Sequence, residues 1–187
     1  TNASNGVLVR VGDEIVYQPN ADFNGTDVFT YEVRDPSGLG DFGSVTITVT
    51  PVNDQPVAED DAFTVAEDQT LSDDVTANDG DPDGDALTVT LTGDVSSGSL
   101  TLNSDGSFDY APDPDFNGQD VFTYEVSDGT LTDVAEVTIT VDPVNDAPTA
   151  TGETYATDED LPLSIAVPGV LANDDDVDGD PLQAILV

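Results

Sequence analysis

Two short loops in the sequence place three aspartates at alternate positions around a glycine. They read Asp-Pro-Asp-Gly-Asp over residues 81–85 and Asp-Val-Asp-Gly-Asp over residues 176–180. Calcium takes about six to eight hard oxygen ligands in irregular geometry, and a glycine lets the backbone curl around such an ion. The loops differ from an EF-hand, because the glycine stands fourth instead of sixth and Thr92 occupies the place of the twelfth-position glutamate. The pattern indicates a calcium site, with a solvated acidic turn as the alternative. The candidate ligands in these loops are Asp81, Asp83, Asp85, Asp176, Asp178 and Asp180.

Further oxygen donors recur in step with the loops. Asn-Asp follows a proline-valine pair at 53–54 and again at 145–146, and Glu-Asp stands early in the repeat at 67–68. Asp35 and Asp128 each come just after a strongly alternating segment. In a sandwich whose chain ends lie at opposite poles, the loop after one strand, the linker and an early loop of the next unit can converge. We therefore expect these donors to meet where two units join.

The charge balance limits the partners of the chain. There are 40 Asp and Glu residues against two basic residues, Arg10 and Arg34, giving a formal net charge of −38. Repulsion on this scale excludes nucleic acid and anionic membrane surfaces as electrostatic partners and favours cations. Hydrophobic residues still make up 37% of the chain in regular alternation, which is typical of a folded acidic protein and not of a disordered acidic tail.

Missing residue types narrow the chemistry further. The chain has no Cys and no His, and both basic residues are arginines, so Lys is absent as well. This excludes disulfides, Cys/His zinc sites, Cys or Lys nucleophiles and Ser-His-Asp catalysis. No apolar run is long enough to cross a bilayer, so direct membrane insertion is not expected. Because Thr1 is not a translation start, we expect the chain to be part of a longer protein.

The chain repeats itself. DFNGTDVFTYEV over residues 22–33 returns as DFNGQDVFTYEV over residues 115–126, and PVND at 51–54 returns at 143–146. So close a match indicates duplication of a whole folding unit, and each PVND proline ends a strand because it cannot donate a backbone hydrogen bond. The sequence predicts three units: the C-terminal half of a repeat at 1–52, a complete repeat at 53–143 and the N-terminal half of a following repeat at 144–187.

Within a repeat the apolar residues alternate with a period of two. Phe29, Tyr31 and Val33 share one face of a predicted strand, and the second copy of the motif keeps the same pattern. Further strands are predicted at 62–66, 86–92, 99–102 and 107–111, between clusters of Gly, Asp, Asn and Pro. About seven short strands in roughly 90 residues are typical of an antiparallel sandwich. The predicted fold class is all-β, as tandem antiparallel Greek-key β-sandwiches.

These motifs together resemble a known family, the cadherin-like (Ig-like) tandem repeats of giant bacterial surface and biofilm adhesins of the RTX type, often exported by type I secretion. The resemblance rests on DFNGxDVFTYEV, VTITVxPVNDxP, the early Glu-Asp pair and the Asp-Gly-Asp loops, and it covers essentially the whole chain. It implies that calcium ions (Ca2+) lie between successive domains. The first junction would use Asp35, Asn53, Asp54, Asp83 and Asp85, and the second Glu67, Asp128, Asn145, Asp146, Asp178 and Asp180.

The chain departs from the cadherin pattern at two places. Thr50-Pro51 stands where cadherin linkers carry an acidic residue before Asn-Asp, and the Asp-Arg-Glu signature is reduced to Arg34-Asp35 or Ser127-Asp128. These departures imply fewer ions per junction than in true cadherins.

The resemblance implies a calcium-rigidified extracellular spacer of a large bacterial cell-surface adhesin, in contact with calcium and with neighbouring repeats of the same chain and acting in adhesion or biofilm formation. One alternative is a module that binds cell-surface polysaccharide or like domains, which would need an exposed aromatic cluster. An enzyme that uses paired carboxylates for glycoside hydrolysis is disfavoured because the carboxylates recur in every repeat, so no enzymatic activity is expected.

Other side chains are given structural roles or none. The tyrosines of the alternating segments are predicted to pack in or near the core, and several other acidic residues are predicted to be solvated. The tyrosines are Tyr17, Tyr31, Tyr110 and Tyr124, and the acidic residues are Glu14, Glu59, Asp60, Asp61 and Asp94. Because the two half-repeats add up to about one repeat, completion of a shared sandwich by the ends of different chains is left open beside a simple excerpt of a longer chain.

Overall fold

The computed structural model describes residues 2–12 and 14–186. Across these residues the chain forms eleven β-strands and one short 3-10 helix, Gly169–Leu171. The strands are β1 Gly6–Val11, β2 Glu14–Pro19, β3 Gly25–Arg34, β4 Gly40–Val49, β5 Asp61–Ala66, β6 Leu71–Asp74, β7 Thr88–Gly93, β8 Gly98–Leu102, β9 Ser107–Pro112, β10 Gly118–Ser127 and β11 Thr132–Asp142. In this part of the chain no helix has the length and apolar character needed to cross a membrane.

Strands β5 to β11 build a two-layered sandwich in the middle of the chain. One sheet has the order β5-β11-β10-β7 and the other the order β6-β9-β8. Neighbouring strands are antiparallel except β5 and β11, which run parallel with Asp61 opposite Val137 and Ala66 opposite Asp142. The all-β prediction is confirmed, and the four strands predicted between the repeated motifs all form within two residues of their expected limits. Strand β6 was not predicted, because Leu71 is its single apolar residue.

Alternate residues of the central strands form the core of the sandwich. One buried cluster contains Phe108 and Tyr110 of β9, Phe122, Tyr124 and Val126 of β10, and Val137, Ile139 and Val141 of β11. The ring of Phe108 meets the rings of Phe63 and Phe122 edge-on, with centroids 5.2 and 5.5 Å away. Burial of each large side chain of this kind contributes about 1.5–3 kcal/mol, so this cluster holds the two sheets together.

The first unit repeats the second half of this sandwich. Strands β1 and β2 form one hairpin and β3 and β4 another, and they correspond to β8–β9 and β10–β11 of the middle repeat. Gly6 pairs with Pro19 as Gly98 pairs with Pro112. The hairpins thus reproduce the local structure of the middle repeat without counterparts of β5, β6 and β7.

The third unit, residues 144–186, carries the sequence counterparts of β5, β6 and β7 but forms no strand. It has the 3-10 helix and a single bridge between Thr149 and Asp175, which matches the bridge between Val57 and Gly80 in the middle repeat. In the middle repeat, β5, β6 and β7 pair with β11, β9 and β10. A strand needs a partner for its backbone hydrogen bonds, so the same sequence pattern without that partner stays irregular.

The strand order decides which loops of the middle repeat meet. Successive strands run in opposite directions, so successive loops alternate between the two ends of the sandwich. We call the end at which the chain enters β5 the entry pole, and the end at which β11 finishes, at Asp142, the exit pole. At the entry pole the side chain of Asn53 bonds Asp128 of the β10–β11 turn, and Val57 pairs with Gly80. At the exit pole the backbone N–H of Glu67 donates to the carbonyl of Asp142 at 2.9 Å. Each junction therefore combines the exit pole of one unit with the entry pole of the next.

Candidate metal centres

The exit pole of the middle repeat gathers carboxylates from three separate segments. Glu67 follows β5, Asp146 lies in the linker and Asp178 lies in a loop of the third unit, and one carboxylate oxygen from each lies within 4.8 Å of the others. The backbone N–H of Asp146 donates to Oδ2 of Asp178 at 2.7 Å, and the N–H of Val144 donates to Oε1 of Glu67. The linker backbone thereby ties the two units together through these acidic side chains.

A second group of carboxylates shares Asp146 with the first. Asp68, which follows Glu67, and Asp115, in the β9–β10 turn, place carboxylate oxygens within 4.8 Å of an oxygen of Asp146. Oδ2 of Asp146 is buried and has no hydrogen-bond partner in the described part of the chain. Desolvation and the negative charges around it, that of Asp68 foremost, raise the pKa of Asp146. Asp146 is thus the common member of two acidic groups.

Strained backbone presents two of these side chains. Asp68 has φ 62° and Asp115 has φ 61°, in the left-handed region that residues other than glycine adopt infrequently. The same conformation recurs at their counterparts, with φ 58° at Asp22 and 65° at Asp160. Aspartate tolerates this conformation better than most residues, and the duplicated turns keep both the residue and the conformation.

The Asp-Gly-Asp loop of the third unit is held by its first aspartate. Oδ1 of Asp176 accepts the backbone N–H groups of Asp178 and Asp180, both at 3.1 Å. Gly179 has φ 76°, a left-handed conformation that permits the tight curl. The loop directs the carboxylate of Asp178 at the linker, where it meets the Asp146 backbone.

The first junction has the same construction. The N–H groups of Asp83 and Asp85 donate to Oδ1 of Asp81 at 2.8 and 3.2 Å, and the N–H of Asp54 donates to Oδ2 of Asp83 at 2.8 Å. Oδ2 of Asp81 is buried without a hydrogen-bond partner among the residues that the structure covers. Two adjoining open clefts lie here, and the first unit, the linker and the middle repeat contribute to both. Asp22, Asn24, Asp54 and Asp83 line one, and Asn24, Asn53, Asp83 and Asp85 line the other.

Most of the predicted ligands lie at one of the two junctions. At the first junction the structure brings together the linker residues and the acidic loop of the middle repeat: Asn53, Asp54, Asp81, Asp83 and Asp85. At the second it brings together Glu67, Asn145, Asp146, Asp176, Asp178 and Asp180. Asn145 uses its side-chain amide to bond the carbonyl of Asp146 at 3.0 Å, as Asn53 does with Asp54 at 3.2 Å.

Two expected ligands lie elsewhere than predicted. Asp128 was expected at the second junction, but it lies at the entry pole, where Oδ2 accepts the side-chain amide of Asn53 at 2.7 Å. Asp35 was expected at the first junction, but it caps the β3–β4 turn at the other end of its unit, and its Oδ1 accepts the N–H groups of Ser37 and Leu39. The physical reason is the same for both, because a hairpin turn lies one full strand length away from the linker that follows the hairpin.

Sequence reasoning missed three carboxylates at the junctions, Asp22, Asp68 and Asp115. Asp22 and Asp115 belong to the repeated Asp-Phe-Asn-Gly motif, which was interpreted as a turn. The signal in the sequence was that the aspartate of this motif recurs together with Asn-Gly, although a turn needs only the Asn-Gly pair. Asp68 directly follows the predicted ligand Glu67.

Two other predictions concern polar groups in the sandwich. The tyrosine prediction is confirmed for Tyr110 and Tyr124, which are fully buried, whereas Tyr31 is 43% exposed. Asp61 was expected to be solvated, but its Oδ2 lies 3.1 Å from the hydroxyl of Tyr124, and Oδ2 of Asp79 lies at the same distance, so either carboxylate can accept the single hydroxyl proton. Asp60 is also engaged, because its Oδ1 accepts the N–H of Glu136 at 2.9 Å.

One buried aspartate holds the β8–β9 hairpin of the middle repeat, and another holds its counterpart, the β1–β2 hairpin of the first unit. Asp120 is 2% exposed and accepts the backbone N–H groups of Ser96 and Ser97 and the hydroxyl of Tyr110. Burial alone would raise the pKa of Asp120, but these donors hold it below its ordinary value. Asp27 in the first unit makes the matching contacts with Ser4, Asn5 and Tyr17 and has a pKa of about 2.

Comparison with known families gives the chain its place. Residues 53–143 match the family model of the bacterial cadherin-like domain, and residues 1–50 and 145–187 match that of the bacterial Ig domain. The chain belongs to the cadherin-like and Ig-like repeats of bacterial surface proteins. Cadherin-like domains generally bind calcium, and domains of both families are typically non-catalytic. No curated protein sequence matches the chain.

Solved structures similar to these bacterial repeats are parts of larger chains. One is an endo-fucoidan hydrolase from glycoside hydrolase family 107, at 22% identity and a TM-score of 0.41, with 80% of this chain and 25% of that chain covered. Another is a SusE-like surface-located polysaccharide-binding protein from the Bacteroides thetaiotaomicron heparin utilisation locus, at 10% identity, a TM-score of 0.36, and coverage of 76% and 35%. Domains 4 and 5 of the S-layer protein SbsC align at 18% identity, a TM-score of 0.33, and coverage of 72% and 66%. This chain spans about a quarter of the hydrolase and about a third of the SusE-like protein, and the likeness assigns it no activity or ligand.

Proposed function

We propose that these repeats form a calcium-stiffened spacer in a large bacterial cell-surface adhesin, with calcium ions bound between successive units. The observation that carries the proposal is the position of Asp146. Its carboxylate belongs to two acidic groups drawn from both sides of a junction, and its buried Oδ2 has no partner in the described residues. A bound divalent cation would satisfy this atom and the carboxylates around it at once.

The donor set fits calcium. All the side chains at the two junctions offer oxygen, and the chain has neither the His nor the Cys that zinc prefers. Of the two arginines, Arg34 bonds Glu32 at 2.9 Å in its own hairpin and Arg10 donates to the carbonyl of Gly12. In the proposal, the neutralising charge at the junctions is supplied by a bound cation.

The ligands in this proposal follow the geometry and not the sequence prediction alone. The second junction would use Glu67, Asp68, Asp115, Asp146 and Asp178, with Asp176 holding the loop that presents Asp178. The first would use Asp22, Asp54, Asp81, Asp83 and Asp85, with Asn53 and Asn145 ordering the two linkers. Asp35 and Asp128 are left out because they lie at the wrong ends of their units for the roles first given to them.

In the proposed mechanism, a calcium ion bound by carboxylates of two neighbouring units replaces the repulsion between those carboxylates. Without a cation, carboxylates from two units face one another across the linker and push the units apart. Calcium supplies a positive charge that both units bind, so the linker loses its freedom to bend. Extracellular modules of this type bind calcium at about 10⁻⁴ to 10⁻³ M, which suits a chain that is flexible during export and stiff outside the cell.

A carbohydrate-binding role is less well supported than a spacer role. Within the complete middle repeat, Tyr110 and Tyr124 are fully buried, so this repeat offers neither of them as a stacking platform.

Small-angle scattering tests the proposal directly. We expect a larger maximum dimension and a narrower range of shapes in calcium than in chelator, and little change when magnesium replaces the chelator, because magnesium demands a regular octahedral shell. The same maximum dimension in calcium and in chelator would overturn the proposed stiffening.

A further inference from the structure

Two asparagines beside the junctions are each followed by a glycine, which makes their side-chain amides easy to hydrolyse. The pairs are Asn24-Gly25 and Asn117-Gly118. In such a pair the backbone nitrogen of the second residue attacks the side-chain carbonyl carbon of the asparagine. Glycine leaves the path of this attack open because it has no side chain. Asparagine is accordingly one of the thermolabile residues of proteins.

The fold fixes the glycine of each pair. Gly25 has φ 120° and Gly118 has φ 130°, and residues with a side chain rarely adopt such a conformation. Each glycine is the first residue of a long strand, β3 or β10, and the asparagine before it lies outside that strand. Both copies of the motif therefore keep a glycine directly after an asparagine that no strand includes.

The side chains of these two asparagines are not held by neighbours. Asn24 and Asn117 are exposed, and their amides form no hydrogen bond with any residue that the structure describes. Asn53, Asn78 and Asn145, in contrast, donate their side-chain amides to oxygen atoms of other residues. Such a bond restrains an amide from turning toward the next backbone nitrogen, so Asn24 and Asn117 are the freer to react.

Both asparagines stand beside proposed calcium ligands. Asn24 lines the two clefts of the first junction, together with Asp83. Asn117 lies two residues after Asp115, which places a carboxylate oxygen within 4.8 Å of one from Asp146 at the second junction. A negative charge created at either asparagine would add to the carboxylates of a junction.

We propose that Asn24 and Asn117 are sites of spontaneous deamidation, through which each junction gains one carboxylate after the protein has been made. The glycine nitrogen forms a bond to the side-chain carbonyl carbon, and its proton leaves with the amide nitrogen as ammonia. Water then opens the five-membered imide at one of its two carbonyl groups, which gives aspartate or isoaspartate. The reaction needs only water, whereas its effect on the junctions rests on the proposed calcium function.

Ageing of the full chain at mildly alkaline pH, followed by peptide mapping with mass spectrometry, tests the reaction. Asn20 is the matched control, because it is exposed and lines one of the same clefts but is followed by alanine. Conversion is expected to be about tenfold faster or more at Asn24 and Asn117 than at Asn20. Asn24→Gln together with Asn117→Gln should prevent it, because the six-membered ring that glutamine forms closes more slowly. Equal conversion at the three asparagines, or none at Asn24 and Asn117, would overturn the proposal.

The consequence for the junctions is measured separately, by isothermal titration calorimetry. Asn24→Asp and Asn117→Asp carry the aspartate product from the start. Each is expected to bind calcium up to about tenfold more tightly than the fresh wild-type chain, because affinity depends on the number of charged ligands. Equal or weaker binding by both variants would refute the effect on the junctions and leave the deamidation itself intact. If neither they nor the wild type bound calcium, the calcium function would fail, and this effect with it.

Discussion

At the scale of single residues, the stability of the fold depends on a few carboxylates that are partly or fully buried. Tyr124 joins two of them, since its hydroxyl lies 3.1 Å from an oxygen of Asp61 and from one of Asp79. Burial and the neighbouring acids raise the pKa of both aspartates and of the Tyr124 hydroxyl. The hydroxyl proton of Tyr124 therefore stabilises a pair of acidic side chains that repel each other.

Tyr124→Phe is expected to destabilise the middle repeat by about 1–3 kcal/mol, because it leaves two partly buried carboxylates without their shared donor. Urea unfolding followed by far-ultraviolet circular dichroism would measure the loss. Tyr155→Phe is the control, since Tyr155 is 43% exposed and its hydroxyl makes only a long 3.4 Å contact with the carbonyl of Gly169. Equal stability of the two variants would contradict this role for the cluster.

The lowered pKa of Asp120 predicts that the folded chain loses part of its stability in acid. Its pKa is lowered from the ordinary 3.8 in the folded chain, so it contributes stability above that value and loses the contribution as the pH falls below it. Asp120→Asn should cost about 1–3 kcal/mol at neutral pH, and the difference from wild type should shrink on acidification. Unfolding measured at a series of pH values checks this. With Asp94→Asn, a change at an exposed side chain, the curve should follow the wild type.

At the scale of elements, the position of a loop is set by the strand that leads to it. The linker, the β5–β6 loop and the β9–β10 turn meet at the exit pole because an odd number of strands separates each of them from the entry pole. The β10–β11 turn lies at the other end for the same reason. Asp146 gains its neighbours from this arrangement and not from its sequence neighbours.

Asp146→Asn is expected to weaken calcium binding at the second junction by about tenfold or more, since the carboxylate is shared by two groups of ligands. Isothermal titration calorimetry of the full chain would measure the change. Asp35→Asn should leave the affinity unchanged, because Asp35 caps a hairpin turn away from both linkers. Weaker binding in the Asp35 variant, or unchanged binding in the Asp146 variant, would contradict the assignment.

The sequence predicted the elements better than the sites. Period-two alternation identified the long strands and most short ones, but β6 has a single apolar residue and exists because β9 offers it a partner. The acidic loops were recognisable from their spacing. Asp128 was misplaced because its proximity to a linker in sequence does not reveal at which end of the sandwich its turn lies. Asp115 was overlooked because its motif already explained a turn.

At the scale of the whole molecule, the net charge of −38 opposes compaction wherever the units meet. The charge is distributed over the surface, but the junction carboxylates are concentrated and partly withdrawn from solvent. Salt and calcium should therefore act differently. Salt screens the distributed charge, and calcium binds the concentrated charge.

We expect calcium at about millimolar concentration to raise the melting temperature in chelator-free buffer more than sodium chloride of equal ionic strength does. Magnesium should behave more like the sodium salt. Differential scanning calorimetry of the full chain under the three conditions measures the effect. If the melting temperature rose with ionic strength alone, whatever the cation, specific binding of calcium at the junctions would be contradicted.

The parallel pairing of β5 and β11 has a consequence for a chain under load. These strands are the first and last of the middle repeat, and six residue pairs join them, from Asp61 and Val137 to Ala66 and Asp142. Tension applied through the two linkers pulls the strands along their own axes in opposite directions. The ladder is then sheared with all its hydrogen bonds loaded together, instead of being peeled apart one rung at a time. A repeat built in this way resists extension at its two ends.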